Sequence, residues 1–335
     1  MEDILFSATV PISRLDRITE RGYEAVLCSL GYESRSREVA VHLAHTGIPI
    51  SALGFPHGHR AAYPKNKRRL RELGVQIQEL ADKEAHDWII EWIALLASEG
   101  ARRVAIDISS MSRPRIAAAV HAVKTTASKD CVVDFLYLPE RFEPPSSDPL
   151  ITEAIEPISS DFAGWVIDAR KPLAVIFGLG YEAARAAGAL DYLEPALAIP
   201  FFPVGGDVRF VDAVGEVNRD VLTLKGVSTD LKQNYSIADP ARCVAALDAL
   251  VHDLHRVGGY RTLLLPFGPK IFALACLMTA ASSDPEIAVW RVSPGSFQDE
   301  IDRQADDRLI TLRVSRRPLE VDGPGAGLPE VEVSA

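Results

Sequence analysis

The tetrapeptide Leu-Gly-Tyr-Glu occurs twice, at 30–33 within AVLCSLGYESRSRE and at 179–182 within AVIFGLGYEAARAA. An internal repeat limits the possible folds more than any single motif does, because each copy must be one supersecondary plan with its own apolar elements. The offset of 149 residues recurs downstream with a slow drift. Asn66-Lys67-Arg68-Arg69-Leu70 aligns with Asn218-Arg219-Asp220-Val221-Leu222 at 152, Pro114-Arg115-Ile116 with Pro269-Lys270-Ile271 at 155, and Pro139 with Pro294 at 155. The order is kept throughout.

Both copies read as the same series of elements. An apolar run (Glu24 to Leu30; Leu173 to Leu179) ends in Gly-Tyr-Glu and passes into a helical pattern, and a second run follows (Ile48 to Phe55; Ala196 to Phe202). A polar stretch carrying the shared Asn comes next, then a helix: Ala85, Trp88, Trp92 and Leu95 or Leu96 lie at helical spacing in copy one, and Cys243 to Val257 form its counterpart. A strand (Arg103 to Ile108; Arg261 to Leu265), a proline loop, a helix (Ile116 to Thr126; Ile271 to Ala281) and a last strand (Val132 to Leu138; Ile287 to Val292) complete each copy. Continuous apolar strands alternating with helices imply parallel strands buried on both faces. The expected class is therefore α/β: two tandem Rossmann-like three-layer modules related by internal duplication, a reading that 335 residues accommodate. The predicted bounds are 1–145 for the first module, 146–171 for a connecting segment with room for a short helix, 172–316 for the second module and 317–335 for a flexible acidic Gly/Pro tail. RLITLRVSR, Arg308 to Arg316, alternates like a half-buried edge strand.

TLLLPFGPKIFALACLMTAAS, from Thr262 to Ser282, is as long as a membrane span, but Pro266, Gly268, Pro269 and Lys270 interrupt it. A strand, a loop and a buried helix explain it better, and no membrane role is expected. A net charge of -10 argues against coating nucleic acid through the overall field. Cys28, Cys131, Cys243 and Cys276 form no C-x-x-C pair and read as core thiols of a reducing, cytoplasmic protein. No secretory leader is visible in MEDILFSATVPISRLD.

In doubly wound sheets ligands sit beyond the carboxyl ends of the strands, where both repeated motifs fall. Gly31 and Gly180 stand at strand-to-helix turns, Tyr32 and Tyr181 can stack on a base, and Glu33 and Glu182 can accept from hydroxyls. Equally, the Gly makes the turn, the Tyr covers the core and the Glu complements a helix dipole. The second loop, Asp107-Ile-Ser109-Ser110-Met-Ser112-Arg113-Pro-Arg115, suits a phosphate or ribose, with hydroxyl donors and two cations at a helix start. In the alternative reading Asp107 caps the loop and one Arg pairs with a nearby acid. Copy two, Leu265-Pro-Phe-Gly268-Pro-Lys270-Ile, lacks the Asp and all three Ser and has Gly268 and Lys270. HGHRAAYPKNKRRLR, His57 to Arg71, carries six Lys or Arg and no acid: either a phosphate or nucleic-acid contact that folds over a ligand, or a solvated helix face. Nucleic acid is not the favoured partner. His57 and His59 lack a third ligand for a metal site, and no cofactor fingerprint of the G-x-G-x-x-G kind is present, so neither metal nor cofactor is expected.

VAIDISSMSRPRIAAAVHAV, Val104 to Val123, resembles the second loop of CARF domains, the Rossmann-like sensors of CRISPR-linked antiviral defence. LCSLGYESRS, Leu27 to Ser36, is similar to that family's first strand and ligand-facing loop. The resemblance implies pairing of two modules about a two-fold axis and binding of cyclic or linear oligoadenylates across it, with SAVED domains as the fused form. It assigns Gly31, Tyr32, Glu33 and Ser34 to the first loop and Asp107, Ser109, Ser110, Arg113 and Arg115 to the second. The family's Gly-Gly-Thr-Lys core is replaced here by Ser-Ser-Met-Ser-Arg-Pro-Arg.

Cations, hydroxyls and stackable rings without a placed acid and base favour binding over catalysis. The leading expectation is a nucleotide-ligand sensor or adaptor, with a cyclic nucleotide among the candidates, that signals to an effector partner in anti-phage defence. The alternative is an enzyme cleaving a phosphodiester or glycosidic bond with Glu33 or Asp107 as base. A third reading is a duplicated stable unit that binds proteins.

Overall fold

Strands that are buried along their whole length set the layers. In the computed structural model, which describes residues 5–56, 58–145, 152–164, 168–282, 287–293 and 301–319, the runs Ala25–Ser29 and Ile50–Gly54 have no exposed position. Such runs can be covered only by helices on both faces. The first module contains β1 (Phe6–Arg14), β2 (Ala25–Ser29), α1 (Glu38–Leu43), β3 (Ile50–Gly54), α2 (Tyr63–Glu72), β4 (Gln76–Glu79), α3 (Asp82–Ser98), β5 (Arg103–Asp107), α4 (Arg113–Thr125) and β6 (Val132–Tyr137). After β7 (Ala154–Pro157) the second contains β8 (Leu173–Gly178), α5 (Ala183–Leu193), β9 (Leu197–Val204), α6 (Val208–Val217), β10 (Gln233–Ser236), α7 (Pro240–Arg256), β11 (Arg261–Leu265), α8 (Lys270–Ser282) and β12 (Ala288–Ser293). The chain then forms β13 (Arg308–Ser315).

The two sheets share one topology. The first runs β1-β13-β6-β5-β2-β3-β4, and the second β10-β9-β8-β11-β12-β7. Each has five parallel strands in the order third, second, first, fourth, fifth, the Rossmann arrangement. In each, the strand ending in Leu-Gly-Tyr-Glu lies beside the strand leading to the proline loop, so the two repeated loops flank the switch point. The predicted class, α/β with two Rossmann-like modules, is what the chain adopts.

Three elements differ from expectation. The strand at 308–315 does not extend the second module and is not an edge: it pairs antiparallel with β6 and is covered by β1, both in the first sheet. Leu309, Ile310, Leu312 and Val314 are buried, so its apolar content reflects an internal position. The connecting segment contributes β7 to the edge of the second sheet, antiparallel to β12, and one 3-10 turn at Ser160–Phe162. Its Asp161 accepts from His86 Nε2 at 2.9 Å, tying the segment to α3. Pro294, residues 146–151 and the tail from 320 to 335 lie outside the described residues.

The modules join through α4 and α8, which pack on one another. α8 buries Ile271 to Thr279 without a break, and a helix apolar all round must be an internal one. α4 presents Ala117, Ala118, Ala119 and Ala122, all buried, and small residues let its backbone come close. One apolar cluster accordingly runs through both modules. The interrupted stretch Thr262 to Ser282 forms β11, a loop and α8, and among the described residues no helix is long and apolar enough to cross a membrane. All four cysteines are free and buried.

Candidate functional site

The turn after each repeated strand is held by the shared asparagine. Asn66 Nδ2 donates to the Gly31 carbonyl at 2.9 Å, and Asn218 Nδ2 to the Gly180 carbonyl at 2.7 Å. Both asparagines are buried, with about 1% exposure or less, so each bond saturates a donor that water cannot reach. Close approach explains the glycines. A Cβ at Gly31 would lie 2.8 Å from Cβ of Ser110, and one at Gly180 would lie 2.5 Å from Cα of Gly268. The two loops of each module therefore touch at a glycine.

From these turns the glutamates reach the neighbouring loop in the same way. Glu33 accepts from Ser110 Oγ at 2.9 Å, and Glu182 from the Gly268 amide at 3.3 Å. The cations at the helix starts then cross between modules. Lys270, first residue of α8, donates to the carbonyl of Ser109 at 2.7 Å. Arg113, first residue of α4, donates to the carbonyl of Gly268 at 3.1 Å and lies 3.6 Å from Glu182. Each module thus sends one cation into the other's loop.

Between the loops is one cavity of about 410 Å³, at the carboxyl ends of the parallel strands of both modules. Of the predicted residues, Glu33, Arg113, Gly180, Tyr181, Glu182, Gly268 and Lys270 line it. Ser110 and Ser109 stand behind Glu33 and Lys270. Ser34 donates from its amide (2.6 Å) and hydroxyl (2.8 Å) to Asp302, and so anchors the segment that brings Ile301 and Arg303 to the wall.

Four predicted residues are elsewhere. Gly31 supports the turn. Tyr32 points away from the cavity, stacked on Phe55 at 5.6 Å and against Tyr63 at 5.3 Å. Asp107 is turned into its own loop, where it accepts from the amide (2.9 Å) and hydroxyl of Ser109. Arg115 is fully buried on the far side of α4, donating to the carbonyls of Leu53, Gly54 and Leu80 and to Asp82, with its guanidinium 4.0 Å from the Phe55 ring centroid. Arg113 and Arg115 are two positions apart on a helix and so face opposite ways. The basic stretch also stays outside: Tyr63, Asn66 and Leu70 turn inward, Lys67 pairs with Glu79 and Arg69 with Glu72, and no described residue of it lines the cavity. His57 lies outside the described residues.

The cavity also contains residues that the repeat search did not select: Arg35, Tyr137, Glu140, Arg185 and Arg303. Arg35 donates to Glu33 at 2.6 Å and to the Leu138 carbonyl at 2.8 Å. Glu140 lies 3.6 Å from Arg35 and 3.3 Å from Arg303. A signal was present for two of them, since each Gly-Tyr-Glu is followed within three residues by an Arg, Arg35 or Arg185. Arg303 has no counterpart in the repeat.

Among the described residues, five cations (Arg35, Arg113, Arg185, Lys270, Arg303) and three carboxylates (Glu33, Glu140, Glu182) line the cavity, which leaves this lining cationic in a chain of charge -10. Burial works against ionising Glu33, but Lys270 and Arg35 overcome it and hold its pKa near 2. Burial also lowers the Lys270 ammonium to about 8, although Glu33 supports the charge. For Asp107 burial wins over its bonds to Ser109 and raises the carboxyl to about 6.

A testable sign follows for Asp107. Its folded pKa lies above the unfolded value, so its contribution is full below about pH 4 and is lost as pH rises through 6. Glu33 acts oppositely, its contribution being lost as pH falls from about 4.5 through 2. Urea unfolding at pH 4.5, 5.5 and 6.5 should therefore show Asp107→Asn gaining on the wild type with rising pH, by on the order of 2 kcal/mol across the Asp107 window. A constant difference would mean that Asp107 ionises normally in the fold.

No protein-family model matches the chain, and no curated protein matches its sequence. Among solved structures it is similar to MurG of Acinetobacter baumannii, at 15% identity over 82% of this chain and 87% of that one, with a TM-score of 0.22. It is similar to a leucoanthocyanidin reductase of Vitis vinifera solved with NADPH, at 10% identity over 79% and 92% and a TM-score of 0.25. A universal stress protein of Archaeoglobus fulgidus follows at 14% over 82% and 97%, with a TM-score of 0.24. Likenesses this distant carry nothing about ligand or activity.

Proposed function

We propose that the chain is a nucleotide-ligand sensor or adaptor that binds a small phosphorylated nucleotide in the cavity between its modules and signals its occupancy to an effector protein. The observation that carries this reading is the exchange of cations: Arg113 and Lys270 each hold the other module's loop and line the same cavity. An anion bound there would be shared by both modules, so binding would change how they hold each other. The resemblance of both loops to CARF domains supports such a role, in antiviral defence. Binding is favoured over cleavage because Asp107 faces its own loop, and Glu33, although it lines the cavity, is held ionised against the cost of burial by Lys270 and Arg35, with a pKa near 2, and so is a weak base.

A thermal-shift panel of nucleoside mono-, di- and triphosphates and cyclic nucleotides tests this, together with acid extraction of the bound molecule. The expected result is a stabilised chain from which the ligand is recovered intact. A ligand recovered shortened or dephosphorylated would restore the enzyme reading, and no shift with any nucleotide would remove both.

The pH dependence is specific. An anion beside Lys270 favours its charged form, so binding takes up a proton once the free amine, flanked by Glu33, Arg35, Arg113 and Glu140, begins to deprotonate near pH 8. The Kd should be flat from pH 6.5 to 7.5 and rise by up to about tenfold per unit above pH 8. Lys270→Arg should flatten that rise, and an unchanged slope in the variant would take Lys270 out of the site.

A further inference from the structure

The cavity takes a Glu and an Arg from each copy, Glu33 and Arg35 from the first and Glu182 and Arg185 from the second, but it is asymmetric in its rings. The first module's Tyr137 reaches the wall yet is buried, with the Arg35 guanidinium 5.9 Å from its ring centroid, whereas the second presents a stacked pair. Tyr181 stacks on Phe210 at 6.2 Å with 21° between the rings, and both line the cavity. Phe142 packs edge-on against Phe210 at 5.1 Å, and the Tyr181 hydroxyl donates to the Glu143 carbonyl at 3.1 Å, so the stack is held at both ends. Val211, Val214 and Ile237 extend the apolar wall. The equivalent tyrosine of copy one, Tyr32, is occupied by Phe55 and Tyr63. Beside the aromatic wall, Glu140 lies between Arg35 and Arg303, and Arg303 is 3.9 Å from Glu143, whose carbonyl holds Tyr181; with Lys270 near Arg35 and Glu140, this cluster is fitted to anions and hydroxyls.

Resting on the nucleotide reading above, we propose that the ligand carries one base and an oligophosphate end, with the base against Tyr181 and Phe210 and the phosphates toward Lys270, Arg35 and Arg303. A two-base cyclic ligand would need an open stacking face from each module, and in the first module Tyr32 is packed on Phe55 and Tyr63 while Tyr137 is buried under Arg35. A volume of about 410 Å³ also lies toward the small end of ligand cavities, which suits one base better than two.

Calorimetric titration of the full chain with ADP, GDP, CDP and UDP, with pyrophosphate, and with cyclic di-AMP and cyclic di-GMP tests the assignment. At least one nucleoside diphosphate should bind at least tenfold more tightly than either cyclic dinucleotide. Tyr181→Leu, and separately Phe210→Leu, should weaken that diphosphate about tenfold while pyrophosphate affinity stays within twofold, since only stacking is removed. Lys270→Gln should weaken both. A cyclic dinucleotide that binds more tightly than every diphosphate, or ring variants that leave diphosphate affinity unchanged or weaken pyrophosphate equally, would overturn the one-base assignment and leave the nucleotide reading standing. If no diphosphate, cyclic dinucleotide or pyrophosphate binds, the nucleotide reading fails and this assignment with it.

Discussion

Arg115→Ala lowers the free energy of unfolding by about 3–5 kcal/mol, the range for removing one partner of a buried, hydrogen-bonded ion pair. Arg115 has no exposed surface, and it donates to three backbone carbonyls at the ends of β3 and β4 as well as to Asp82 at the start of α3. With the guanidinium gone, the Leu53, Gly54 and Leu80 carbonyls lose a donor that nothing nearby replaces, and a cavity opens beside Phe55. Arg115→Lys should recover little, because a single ammonium cannot serve several acceptors spread over a planar fork. Denaturant unfolding of both variants checks this, and a loss under 1 kcal/mol for Arg115→Ala would mean that the network contributes little.

Gly268→Ala is expected to cost about 2–5 kcal/mol, combining left-handed backbone strain with a clash that cannot relax. Gly268 has φ +75°, and a Cβ on it would lie 2.4 Å from the carbonyl oxygen of Leu179. That oxygen belongs to a backbone fixed by its neighbours, so the loop itself must move. Its movement withdraws the carbonyl that Arg113 uses and the amide that Glu182 uses. Unlike Arg115→Ala, Gly268→Ala should therefore reduce ligand binding even in protein that remains folded. Unfolding and binding measured on the same preparation separate the two effects, and undiminished binding would detach the loop from the site.

The duplicated plan was legible because it rests on local requirements. Gly31 and Gly180 are needed where two loops touch, Asn66 and Asn218 where a buried carbonyl must be paired, and these needs survive divergence of the surface. Strand identities followed from the apolar runs for the same reason. What the sequence did not reveal depends on partners distant in the chain. Strand 308–315 crosses to the first sheet because β6 and β1 offer it two pairing edges, information its own alternation does not contain. Arg113 and Arg115 looked equivalent as cations at a helix start, and only the phase of α4 against β3 and the second module separates them. Tyr32 and Tyr181 are identical in local sequence and differ in their neighbours, Phe55 and Tyr63 against Phe210. Arg303 reaches the cavity through the Asp302 bonds to Ser34, across 268 residues of chain.

The central claim is that two modules build one site. Counting ligand per chain by equilibrium dialysis with a labelled nucleoside diphosphate, in the wild type and in Arg113→Gln and Lys270→Gln, tests it most directly. One molecule per chain is predicted, and each substitution, although made in a different module, should weaken that same site by tenfold or more. Two molecules per chain, one lost with each substitution and the other retained at full affinity, would show two separate pockets and contradict the account.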